Sequence, residues 1–151
     1  MEIQFRAMDA AVPPASELLS AMVAEMNELY GSLDAAPRAT PADFAPPSGT
    51  FLVGFAGDDP VCAGGIKRIG PDAAEIKRMY VVPAARRRGL ARRLLVALAD
   101  AARERGYRVV RLDTGPRQTH AMELYTSAGY TRIGNYNANP LAAYWGEKWL
   151  A

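Results

Sequence analysis

Apolar and polar positions alternate from Ile3 to Met8, a period of two that predicts a first strand. Pro13 and Pro14 then mark a helix start. Leu18, Leu19, Met22, Val23, Met26, Leu29 and Tyr30 follow at helical spacing, and Gly31 ends the run. Two apolar runs, Thr50 to Ala56 and Val61 to Ile69, are separated by Gly-Asp-Asp-Pro, a hairpin signal. A second turn, Gly-Pro-Asp-Ala, leads into a fourth strand, Ala74 to Val82, which Pro83 closes. A long amphipathic helix from Gly89 to Arg105 buries Leu90, Leu94, Leu95, Leu98 and Ala102. It exposes Arg92, Arg93, Asp100, Arg103 and Glu104, and Gly106 stops it.

Tyr107 to Gly115 reads as a fifth strand. Strand, helix, strand is a right-handed crossover, so the fourth and fifth strands should run parallel. A short helix with Ala121, Leu124, Tyr125 and Ala128 on one face ends at Gly129. Tyr130 to Tyr136 and Ala142 to Leu150 are predicted as the last two strands. Ser32 to Gly49, rich in Pro, Ala and Asp, is too long for a simple connector. It is expected to be a lid or substrate wall, with a short helix at Pro41 to Phe44. No repeat or linker interrupts the pattern, so residues 1–151 are expected to form a single domain of the α/β (α+β) class.

Composition changes this picture in two places. Half the residues are hydrophobic, and the net charge is only +2, too balanced for bulk nucleic-acid binding. The basic residues cluster, however, at Arg86, Arg87, Arg88, Arg92 and Arg93, so a local anion site is expected. Cys62 is the only cysteine, so the chain forms no internal disulfide and no cysteine-based metal cluster. With neither a signal-like N-terminus nor a bilayer-length apolar run, a cytoplasmic location without membrane attachment is the expectation.

The stretch Glu75 to Ala91 therefore organises the chain. A strand feeds a helix through a basic, small-residue turn, where free backbone N–H groups and the helix dipole favour an anion. Gly89 and Ala91 are small where a phosphate would approach the backbone. The turn is not a P-loop, because no Lys-Ser/Thr pair follows a glycine at the required spacing. Nor does it carry the Gly-x-Gly-x-x-Gly dinucleotide fingerprint. The competing reading is a solvated basic turn that caps an ordinary helix.

The flanking segments resemble the GNAT superfamily of acyl-CoA-dependent N-acyltransferases. That family's Gln/Arg-x-x-Gly-x-Gly/Ala signature is matched by Arg86, Gly89 and Ala91. Its later Asn-x-x-Ala-x-x-Leu-Tyr-x-x-x-Gly-Phe/Tyr segment is matched by Ala121, Leu124, Tyr125, Gly129 and Tyr130. Arg117 and Gln118 stand where the family usually has Asn, and His120 precedes the Ala. The resemblance runs from about Thr50 to Ile133. It implies a mixed, mostly antiparallel sheet of six to seven strands, splayed between the fourth and fifth and flanked by helices. By the same resemblance, the backbone at Met79, Tyr80, Val81 and Val82 would hold the pantetheine arm. The turn Arg86, Arg87, Arg88, Gly89, Leu90 and Ala91 would hold the pyrophosphate, and Val81 would supply an oxyanion donor.

Direct transfer needs a neutral amine, an oxyanion donor and a proton for the departing thiolate. Tyr125 is the candidate acid, and it also fits as a core residue on the face of Leu124. Glu75 is the candidate base; its structural alternative is a cross-strand ion pair with Lys67 or Arg68. His120 is a candidate cofactor contact or an exposed residue, and Asp113 lies near the splay, where it also fits as a turn cap. Tyr144, Trp145 and Trp149 fit core packing, a pocket wall or a homodimer surface. The expectation is an N-acetyltransferase using acetyl-CoA as co-substrate, with no metal, acting on a primary amine of a small molecule, peptide or protein. The alternatives are a non-catalytic acyl-CoA sensor and an enzyme for longer acyl chains.

Overall fold

A computed structural model of the chain describes residues 2–32 and 39–151. Among these residues seven strands form one sheet in the order β1-β2-β3-β4-β5-β7-β6. They are β1 (Gln4–Ala7), β2 (Thr50–Ala56), β3 (Asp59–Arg68), β4 (Ala73–Val81), β5 (Val109–Thr114), β6 (Thr131–Arg132) and β7 (Tyr144–Trp149). Every pairing is antiparallel except β4 with β5. The exception is the crossover expected around the long helix.

Helix α1 (Ala15–Tyr30) covers one face of the β1–β4 half. Its Ala15, Leu18 and Met22 pack with Phe51, Val53, Phe55, Ala63 and Tyr80. Helix α2 (Leu90–Glu104) covers the other face, where Leu90, Leu94, Leu95 and Leu98 meet Ile66, Ala74 and Ile76. Each such leucine contributes about 1.5–3 kcal/mol when fully buried. Helix α3 (Ala121–Ser127) lies beside α2, tied to it by a hydrogen bond from Arg92 Nη2 to Ser127 Oγ.

The 3-10 turn Pro41–Phe44 forms as expected, closed by reciprocal bonds between Thr40 and Asp43. It drops Phe44 into the core against Gly65, where a Cβ would come within 2.4 Å of the Phe44 ring. Part of the expected lid, residues 33–38, lies outside the described residues.

The chain departs from expectation after Tyr130. The alternation predicts a strand over Tyr130 to Tyr136, but only Thr131 and Arg132 enter the ladder with β7, and Ile133 N adds one bond to Trp145 O (2.8 Å). Asn135 Oδ1 accepts from the amides of Asn137 (3.2 Å) and Ala138 (2.8 Å), which turns the chain out of the ladder. Asn137 and Asn139 repeat that bond to the amides of Asn139 and Leu141. Asparagine oxygens that accept two residues onward make turns that compete with sheet pairing. The resulting loop folds across the sheet beside β4 and β5.

Candidate functional site

The sheet divides after Glu75. Strands β4 and β5 pair at Ala73↔Val109, Ala74↔Val110 and Glu75↔Arg111, and no further. Beyond that point β4 carries a bulge: Ala63 faces Tyr80 but Gly65 faces Lys77, with Arg78 at φ +62°. A bulge bends the strand and re-aims its side chains.

Past the bulge, the backbone groups of β4 alternate sides. Val82 N donates to Val61 O (2.9 Å) and its carbonyl accepts from Ala85 N (2.9 Å). Tyr80, two residues earlier, faces β3 as well, opposite Ala63. Val81 therefore turns its backbone groups to the gap side, where its carbonyl is taken by Arg86 and its N–H remains on offer. Tyr80 and Val82, expected to offer backbone there too, are engaged elsewhere: Tyr80 is paired opposite Ala63, and Val82 is bonded to Val61 O and Ala85 N. Met79 borders the cleft, while its side chain packs beside Gly64 on the α2 face of the sheet.

At the outer end of β4, Pro83–Ala85 forms one 3-10 turn. Arg86 folds back on the strand. Its Nε donates to Val81 O (2.9 Å), and its Nη2 reaches both Glu25 oxygens on α1 at 2.9 and 2.7 Å. Arg87 and Gly89 both take positive φ, +66° and +75°. Gly89 holds the N-cap position of α2 without a side-chain cap, and the first helical bond is Arg93 N to Gly89 O. The amides of Leu90, Ala91 and Arg92 thus lack helical acceptors. A Cβ built at Gly89 would meet nothing within 4 Å, so the space before these amides is open. The residues present fit a pyrophosphate through backbone donors and helix polarity, with the Arg86 side chain serving as a brace.

At the inner end, a cleft of about 500 Å³ runs between α1 and the divided sheet. Met22, Val23 and Met26 line one wall, while Lys77, Arg78, Asp113 and Tyr125 belong to others. Tyr125 projects from α3 and is only 8% exposed. Its ring stacks on Tyr144 (centroids 6.0 Å apart) and tilts against Tyr130 (6.0 Å). Burial, then the charge of Asp113 and the neighbouring Tyr144, raises its phenol above the ordinary value, so it stays a proton donor. Core packing and a place at the cleft coexist in this residue.

The sequence model of the acetyltransferase (GNAT) family matches residues 16–130. The chain belongs to that family. It is 37% identical over 73 residues to an IAA acetyltransferase of Azospirillum brasilense, covering 46% of this chain and 48% of that protein. It is 36% identical over 62 residues to the N-acetyltransferase YjgM of Escherichia coli strain K12, covering 41% and 37%. The matched stretch thus spans about half or less of each relative. A solved structure of an acyl-CoA N-acyltransferase from Klebsiella pneumoniae superposes with a TM-score of 0.80 at 26% identity, over 99% of this chain and 98% of that one. The Thermoplasma acidophilum PaiA N-acetyltransferase, solved with coenzyme A, shares the fold at 15% identity (TM-score 0.73, 99% and 100% covered).

Within this GNAT chain, a polar knot sits where the sheet divides. Glu75 is 2% exposed, and its carboxylate is enclosed by donors. Tyr136 Oη donates to Oε2 at 2.6 Å, Asn137 Nδ2 at 3.1 Å, and Lys77 Nζ lies 3.6 Å from Oε1. Asp113 is tied in by Asn137 Nδ2 (2.6 Å), Asn139 Nδ2 (3.1 Å) and Lys77 Nζ (3.6 Å). Asp113 lines the cleft, whereas Glu75 lies behind its wall. The cross-strand partner expected for Glu75 was Lys67 or Arg68. Lys67 is opposite Glu75 in register, but the ion pair forms with Lys77, which shares a strand face with Glu75. Arg68 instead stacks on Tyr107.

The remaining candidates separate. His120 is exposed at the start of α3 and outside the cleft lining. Arg87 and Arg88 are exposed on the turn. Cys62 is fully buried, and burial pushes its thiol up to about 11, which makes it a poor nucleophile. Tyr144 is core, Trp145 donates to Asn137 Oδ1 (2.9 Å), and Trp149 is 60% exposed. Gln118, at the family's asparagine segment, takes structural bonds instead: its Oε1 accepts from Gly115 N (3.0 Å) and Tyr30 Oη (3.1 Å). Sequence reasoning missed Tyr136 and Arg78; for Tyr136 the alternate asparagines around it were the available signal. Among the described residues no cluster of three or more His, Cys, Asp or Glu could hold a metal. Nor is any described helix long and apolar enough to cross a membrane.

Proposed function

We propose that this chain is an N-acetyltransferase that moves the acetyl group of acetyl-CoA directly to a primary amine within a ternary complex. One observation carries the reading: β4 leaves β5 after Glu75, so a free backbone edge runs from a cleft containing Tyr125 and Asp113 to the open amides before α2. Acetyl-CoA supplies the activated acyl carbonyl. Val81 N–H is the donor for its oxygen as charge develops there. The backbone of Leu90 and Ala91 binds the pyrophosphate, and Arg86 holds the turn in shape.

The amine arrives mostly as an ammonium, since a free alkylamine has a pKa of about 10. Asp113, on the cleft side, receives it, and the proton leaves into the Asp113 and Glu75 carboxylates, which Lys77 and Asn137 link. The nitrogen then bonds the acyl carbon, the carbon–sulfur bond breaks, and Tyr125 gives its proton to the departing sulfur. No residue need be acylated, which agrees with the inert Cys62. The deciding experiment measures CoA release with acetyl-CoA across a broad amine panel. Release above hydrolysis is expected. Tight cofactor binding with silence across the panel would instead favour a non-catalytic sensor.

A further inference from the structure

Lys77 and Arg78 are consecutive cations at the β4 bulge, yet their surroundings differ. Lys77 lies 3.6 Å from both Glu75 and Asp113. Arg78 lines the cleft half-buried, and no carboxylate, carbonyl or hydroxyl among the described residues accepts from it. Burial alone lowers its pKa, so its desolvation is uncompensated. Its φ of +62° is a conformation that a non-glycine residue rarely adopts. An arginine that is partly desolvated, backbone-strained and unpaired is poised for an anion from outside the chain.

The charges around the cleft are unequally compensated. Glu75 and Asp113 share one lysine, which leaves an excess negative charge where an ammonium would dock. Arg78 leaves an excess positive charge on the same cleft wall. Met22, Val23 and Met26 of α1 provide an apolar surface facing both. A single guanidinium fork matches a carboxylate, whereas a phosphate dianion would call for a second free cation, and Lys77 is already flanked by carboxylates.

We propose that the acceptor is an amino acid, its amine at Asp113, its carboxylate on Arg78 and an apolar side chain against Met22, Val23 and Met26. This rests on the acyltransferase reading above. The test compares leucine, methionine and phenylalanine with their carboxamides as acceptors. Free acids are expected to exceed the amides in kcat/KM by about 10- to 100-fold, the worth of a charge-assisted pair. Arg78→Gln should collapse that preference mainly through KM, and Arg78→Lys should restore part of it. Acetyl-CoA affinity measured on each variant confirms that it is folded.

Amides used as well as acids, or a preference that survives Arg78→Gln, would overturn the proposal. A second arm needs no turnover: calorimetry of CoA-loaded protein with N-acetylmethionine and its amide. Preference for the acid there, with no turnover of any amine, would support the anion site while rejecting acyltransfer. Equal or absent binding of both would reject the anion site itself.

Discussion

Tyr136 Oη donates to Glu75 Oε2 over 2.6 Å, so a residue outside the sheet holds the carboxylate at the point where the sheet divides. The loop that delivers Tyr136 also delivers Asn137 to both Glu75 and Asp113. Its position is therefore fixed by charge-assisted bonds as well as by its own asparagine turns. Removing one such bond leaves a buried carboxylate short of a donor.

Tyr136→Phe should lower stability by about 2 kcal/mol, a typical loss for a hydrogen bond to a charged group. For a domain of this size that is a fall in Tm of roughly 4–8 °C. Thermal melts at neutral pH check it. An unchanged Tm would mean that the loop is held by Asn137 and its turns alone.

Alkaline pH should destabilise the protein. Burial raises the phenols of Tyr125, Tyr130 and Tyr136, with nearby charges adding to it. Below about pH 10 these tyrosines are neutral in both states, and their stabilisation is complete. Above it the unfolded chain releases protons that the folded chain keeps. Stability then falls by up to about 1.4 kcal/mol per pH unit for each tyrosine. Melts between about pH 8 and pH 11 read this, alongside tyrosinate absorbance. Ionisation of all seven tyrosines near pH 10 in folded protein would contradict it.

Gly89 and Tyr125 should separate binding from turnover. Gly89→Glu places an anion before the open amides of α2, and acetyl-CoA affinity should fall at least tenfold. Tyr125→Phe keeps the ring stack on Tyr144 but removes the proton, so kcat should drop about 10²-fold with cofactor affinity nearly unchanged. Calorimetry and steady-state rates on both variants decide. Normal affinity in the first would move the pyrophosphate elsewhere, and normal kcat in the second would make Tyr125 structural.

How much of this was legible in the sequence depended on the range of the interaction. The strand, turn and helix from Ala73 to Glu104 follow from local periodicity, from Pro83 and from Gly89, and they appear within a residue or two of their expected bounds. The division of the sheet came by resemblance, because no local pattern says where β4 stops pairing with β5. The bulge was hidden since the alternation through Ile76 to Val82 reads as an unbroken strand, and the residue with positive φ is Arg78 rather than a glycine. The Glu75–Lys77 pair was within reach, because a period of two puts both on one face. Cross-strand partners were weighed instead. Tyr136 was obscured for the opposite reason: its alternation promised a strand that the asparagine turns dissolve.

The Tyr30–Gln118 contact has a consequence for how such a cleft can change. Gly115 is pressed so close to the Tyr30 ring that a Cβ would lie 2.0 Å from its hydroxyl, and Arg117 reaches back to Leu29 O (2.8 Å) at the end of α1. These bonds tie the end of α1, which packs on the β1–β4 half, to the segment after β5, in a sheet whose β4 and β5 share three paired positions. With so short a pairing, the width of the division also depends on side chains outside the ladder. A lineage could widen or narrow the cleft by trading Tyr30 or Gln118, leaving the residues proposed for acyl transfer on β4 and α3 untouched. Acceptor range and catalytic chemistry would then be adjusted by different residues, and each could drift without penalising the other.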